Sequence, residues 1–151
     1  MAKLGFFEIA GKVYPLSFSL MAEKKLAERY GTLSKIGDFI SGDDAKSFEE
    51  LAYILALLIQ QGCAYKNMFE GDVPPYENAP IEEGKYIHIS EEQIMVGVNA
   101  SMQGDMIKAI QEAMGIGQKN DIETIEKNQE TQGETTELYG LTSGEEYLES
   151  Q

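Results

Sequence analysis

The stretch SFEELAYILALLIQQG, residues 47–62, decides the fold. Ser47 followed by Glu50 is the capping-box pattern that opens a helix. Residues 51–59 are then nine apolar side chains without a break. A helix with one face in water needs only one apolar stripe. This one is apolar on every side, so it is either the central helix of a bundle or it offers a second face to another molecule. Leu51, Leu55 and Leu58, spaced i, i+4 and i+7, form the stripe expected in the core. Ile54 and Leu57 lie on the other side and are the candidates for a partner contact. Gly62 either ends the helix or interrupts it before CAYKNMF.

Working toward the N-terminus, LSKIGDFI predicts a short helical segment ending at Ser41-Gly42-Asp43-Asp44. Before it, LMAEKKLAERYG reads as an amphipathic helix with Met21, Leu26, Ala27 and Tyr30 on one face. Ser19 is its cap and Gly31 its left-handed terminus. The first 18 residues read as a β-hairpin. An apolar run over 4–9 and a second strand, KVYPLSF, flank an Ala10-Gly11 turn. Pro15 has no N–H for a ladder and marks an edge or a strand end.

Toward the C-terminus, EGDVPPYENAPIEEGKY holds three of the four prolines and reads as a long exposed loop. Ser90 and Gln93 repeat the capping-box pattern ahead of another helix. The last helix covers about residues 100–114, with Met102, Met106, Ile110 and Met114 on one slowly drifting face. The expected fold is therefore α+β and mostly α: a short N-terminal β-hairpin packed on about four helices. That domain spans residues 1–116, and residues 117–151 form an acidic, flexible tail. Residues 121–151 carry nine acids and one base, and EKNQETQGETTE within them has no apolar side chain. Such a stretch buries too little to offset its ordering entropy. Leu138, Tyr139, Leu141, Tyr147 and Leu148 return near the end. They make either a short motif that orders on a partner or a turn that docks on the chain's own domain.

Composition narrows the function. Of 151 residues one is cysteine, Cys63, and one is histidine, His88. No internal disulfide and no Cys/His zinc site can form, and nucleophile–histidine catalysis is disfavoured. Cys63 is expected to be small and buried, and His88 a half-buried strand or loop residue. No apolar run nears the ~18 residues of a membrane span, and residues 1–12 lack a signal peptide's pattern, so a soluble cytoplasmic protein is expected. The net charge of −14 repels phosphate backbones and anionic membranes, which argues against nucleic acid and membrane as partners. Paired acids such as Asp43-Asp44 and Glu91-Glu92 fit helix starts. GDDAKSFEE lacks the spaced ligands of a calcium loop, and MGIGQK follows a helix instead of a strand. No catalytic residue, metal or cofactor is expected. Four of the seven methionines fall between residues 95 and 114, which suits an adaptable apolar surface.

IAGKVYPLSFSLMAEKKLAERYG, residues 9–31, and FEELAYILALLIQQG, residues 48–62, resemble the tail assembly chaperones of long-tailed, siphovirus-type bacteriophages. The likeness covers about residues 6–115. It implies a non-enzymatic protein of the host cytoplasm, absent from the mature virion. Such a protein binds and solubilises the tape measure protein and helps tail tube subunits assemble around it. The tube protein would be recruited by the C-terminal tail or by a longer, frameshifted form. On that reading Ile54, Met102, Met106, Ile110 and Met114 line the client groove. The chain would also self-associate, as a homo-oligomer, through apolar helix surface. The alternatives are an acidic DNA mimic, another phage adaptor or structural protein, and a small enzyme.

Overall fold

Ala10 and Gly11 both take positive φ, 52° and 84°, the pattern of a type I′ turn, whose twist matches two right-twisted strands. The turn joins β1 (Leu4–Ile9) to β2 (Lys12–Ser17) in an antiparallel register that places Phe6 opposite Pro15 and Glu8 opposite Val13. The structure, a computed structural model, describes residues 4–115. The chain divides into two units, Met1–Ala113 and Met114–Gln151. The acidic tail and its Leu138, Tyr139, Leu141, Tyr147 and Leu148 lie outside the described residues.

Ser19 accepts the Ala22 amide proton and starts α1 (Leu20–Tyr30); Gly31 ends it at φ 84°. The buried stripe of α1 is Ala22, Leu26 and Tyr30; Leu26 and Tyr30 hold the expected face, Ala27 is half-buried, and Ala22 takes the place expected for Met21, which is exposed. A 3-10 turn at Leu33–Lys35 leads into α2 (Ile36–Ile40). Then comes α3 (Ala45–Phe69), the spine of the domain, touched by β2, β4, α1, α2 and α4. Leu51, Leu55 and Leu58 are buried, as their spacing predicts. Ile54 and Leu57 are buried as well, so the face expected to be free for a partner is covered. Of the two readings of an all-round apolar helix, the central position is the one adopted.

Two expectations along α3 are corrected. Its cap is Asp44, whose Oδ1 accepts the Ser47 amide proton at 2.8 Å, so the helix begins before the expected box. Glu50 is consequently a helix-interior residue. Gly62 neither ends nor breaks the helix. It lets α3 pass against β2: a Cβ there would overlap the Pro15 carbonyl and reach within 2.8 Å of Leu16 N.

Residues 70–89 are more ordered than a plain loop. β3 (Ile81–Glu82) and β4 (Lys85–Tyr86) pair around Glu83-Gly84, again both at positive φ. Asn67 holds β4 through two bonds, Nδ2 donating to Tyr86 O and Oδ1 accepting the Tyr86 amide proton. The same segment seals the outer edge of β2. Val13 N donates to Asn78 O at 2.8 Å, and Tyr76 Oη donates to Val13 O at 2.7 Å. The Ser90/Gln93 capping box is present and opens α4 (Glu91–Gly97). A 3-10 turn at Ala100–Met102 precedes α5 (Gln103–Met114), which buries Met106, Ala109, Ile110 and Ala113. Gly5 admits α5 beneath β1, since a Cβ there would lie 3.1 Å from Ala113 Cβ. The result is α+β, mostly helical, with an N-terminal hairpin and five α-helices where about four were expected. Among the described residues no helix is long and apolar enough to cross a membrane.

Candidate functional site

Seven residues are too few for α4 to bury much, and Ile94 is its one fully buried side chain. Its neighbours Met95 and Val96 point out, 48% and 81% exposed. α4 therefore forms an apolar ridge between two furrows. On the Met95 side a furrow of about 210 Å³ runs between α3 and α5. Phe48, Leu51 and Ala52 form one wall, and Val98, Ala100 and Met106 complete it. On the Val96 side a second, mainly apolar furrow is walled by Ile9, Tyr14, Ile89 and Gly97, with Lys12, Glu92 and Gln93 also lining it.

Two polar side chains of the first furrow are tied into the domain. Gln103 Nε2 donates to Ile40 O at 2.9 Å and to Gly42 O at 2.7 Å, fastening α5 to the approach to α3. Asn99 Oδ1 accepts the Ser101 amide proton at 3.0 Å and the Ser101 hydroxyl proton. The furrow thus presents mainly carbon and thioether sulfur, with few hydrogen-bonding groups to select a register.

Of the five residues expected to line a groove, only Met106 reaches this one, at 4% exposure. Ile54 and Ile110 are core residues, at 0% and 1%. Met102 and Met114 are half-buried and do not line the furrow. The i+4 spacing selected a face of α5 that its own domain covers. Met95, Val96 and Val98 are the residues that spacing missed. The available signal was that IMVGV carries four large apolar residues, three of them on a helix with room to bury about one.

A second cluster is built around Glu50, which is only 2% exposed. Its carboxylate accepts from Arg29 Nε at 2.9 Å and Nη2 at 3.3 Å, and from Tyr30 Oη at 2.5 Å. Lys46 Nζ adds an ion pair at 2.7 Å, and the Arg29 guanidinium lies 3.8 Å from the Tyr53 ring centroid. Arg29, followed by Lys46 and Tyr30, holds the Glu50 carboxyl down at about 2 against the cost of burial. Burial and the adjacent carboxylate push the Tyr30 phenol up. Each of the cluster's polar groups is engaged by another, and its effect is to clamp α1 to α3.

Cys63 is buried, as expected, and burial pushes its thiol up to about 12. His88 is exposed where a half-buried position was expected, and it borders a shallow hollow with Lys25, Tyr53 and Gln60. Among the described residues no group of three or more His, Cys, Asp or Glu side chains is placed to hold a metal ion. Compared with known proteins, the chain matches no family model, no curated protein and no solved structure.

Proposed function

We propose that the chain is a chaperone for an aggregation-prone helical protein, of the kind phage tail assembly uses. It holds the tape measure protein in the host cytoplasm, helps bring tail tube subunits to it, and leaves before the virion matures. The observation that carries this reading is the α4 ridge, with Met95 and Val96 exposed between two apolar furrows. The likeness of residues 9–31 and 48–62 to tail assembly chaperones supports it. A client with many near-equivalent apolar turns needs a surface that repacks, and thioether chains repack at little strain. Release needs weak single contacts. Burying ~400 Å² of apolar surface gives ~10 kcal/mol at ~25 cal/mol per Å². Association costs of ~4–15 kcal/mol remove most of that, so tight holding comes from an array of copies along the client. The acidic exterior keeps the loaded complex dispersed.

The test is co-expression with a tape measure segment. Met95→Asp combined with Val96→Asp should leave the client insoluble while the chaperone stays folded, because both positions are exposed. Met106→Asp should instead unfold the chaperone, which makes it the wrong probe of the groove. Deleting the residues after Gly117 should spare client solubility and impair tube recruitment. A client that stays soluble with the ridge variant, or that is lost only on tail deletion, would rule the ridge out.

A further inference from the structure

The two edges of the N-terminal hairpin are treated differently. On β2, the Val13 N–H and C=O point outward and are taken by Asn78 and Tyr76. Pro15, two residues on, faces the same way and has no N–H to offer. Because Val13 bonds outward, the Glu8–Val13 pair is not hydrogen-bonded across the hairpin. The alternation of antiparallel pairs then sends the N–H and C=O of Leu4, Phe6 and Glu8 out along the other edge. Among the described residues nothing takes them. β1 is only lightly protected as an edge: it has no proline and no lysine, no bulge interrupts its register, and its one charge is Glu8 near the turn. Phe6, in its middle, is 46% exposed.

We infer that β1 is a self-pairing edge, and that a second copy of this chain adds its own β1 antiparallel across a two-fold axis at Phe6. The hairpins of two copies then form one four-stranded sheet. This inference does not depend on the chaperone reading. The strand is self-complementary in that register. Leu4 of one copy meets Glu8 of the other, Phe6 meets Phe6, and every outward N–H and C=O of the three residues finds a partner. The faces also match, since Gly5 and Phe7 lie opposite one another on the buried side of the sheet, where each is already packed within its own copy, Gly5 against Ala113 of α5. Centring the pair on Glu8 would set two carboxylates directly opposite, which is unfavourable. The contact is isologous, so it closes at two copies. A two-stranded hairpin gains most from such an addition, being marginal as a sheet by itself.

The full-length chain tests this by sedimentation equilibrium and by cross-linking. The wild type should sediment at twice the 16.8 kDa chain mass. Phe6→Cys should form a disulfide-linked dimer on mild oxidation, because the paired Cα atoms would lie roughly 5.5 Å apart, inside the disulfide range. Cys63 is buried and does not compete. Glu8→Pro removes one outward N–H and no hairpin bond. It should give a monomer with unchanged far-ultraviolet circular dichroism. A monomeric wild type would overturn the inference. So would a Phe6→Cys variant that does not cross-link, or a dimer that survives Glu8→Pro. A dimer lost with Val96→Asp but kept in Glu8→Pro would also overturn it and move the contact to α4.

Discussion

Replacing Glu50 by glutamine tests whether the buried carboxylate clamp holds α1 to α3. Glutamine keeps the shape but trades an acceptor oxygen for an NH₂ group facing Arg29, Lys46 and Tyr30, which are all donors. The cost is worked from the proton affinity. The carboxyl goes from 4.5 to about 2 on folding. At about 1.4 kcal/mol for each tenfold change in affinity, that is worth about 3 kcal/mol. Arg29 and Lys46 are 40% and 68% exposed, and water screens their share, so ~2–3 kcal/mol is expected. Thermal and urea unfolding at pH 7 should show that loss, as a drop of roughly 5–15 °C in Tm for a domain of this size. The pH dependence has a definite sign. The folded-state carboxyl is depressed, so its contribution is complete above about 4.5 and is lost as pH falls toward about 2. The stability gap between wild type and Glu50→Gln should therefore close across that window, whatever the other acids do in both proteins. A variant within about 0.5 kcal/mol of wild type at pH 7, or a gap that stays constant down to pH 2, would refute the clamp.

Gly62→Ala should destabilise by ~3 kcal/mol or more in urea unfolding, since the new Cβ meets the β2 backbone, which has no room to yield. Helix propensity alone would make the same change stabilising by ~1 kcal/mol, so a neutral or positive result would mean that β2 does not approach α3 this closely. Ala10→Asn should raise stability by ~0.5–1 kcal/mol, because Asn tolerates the left-handed conformation that Ala10 holds at φ 52°. A loss in thermal melts would argue against the type I′ turn.

Local chemistry was legible in the sequence wherever a few neighbouring residues decide it. Ala10-Gly11 between two apolar runs predicts the hairpin, Ser19 and Gly31 bound α1, and Ser90 with Gln93 opens α4; each of these is present. Nine apolar residues in a row require an enclosed helix or a second binding face, and only tertiary structure chooses between them. The choice depends on how many elements surround α3, a long-range property with no local pattern. That is why Ile54 and Leu57 became core residues. Glu50 shows the same division. Spacing from Ser47 made it a cap residue, but its partners Arg29 and Tyr30 lie twenty or so positions away, and only the packing of α1 on α3 brings them to it. Gly62 could be read locally only as a break, because the need for a missing Cβ comes from a strand 47 residues earlier, at Pro15. The exposed ridge is the clearest case. Methionine spacing selected the covered face of α5. Met95 and Val96 remain outside because α4 is short and turns its one buried residue, Ile94, inward, and periodicity over seven residues carries too little information to set that rotation.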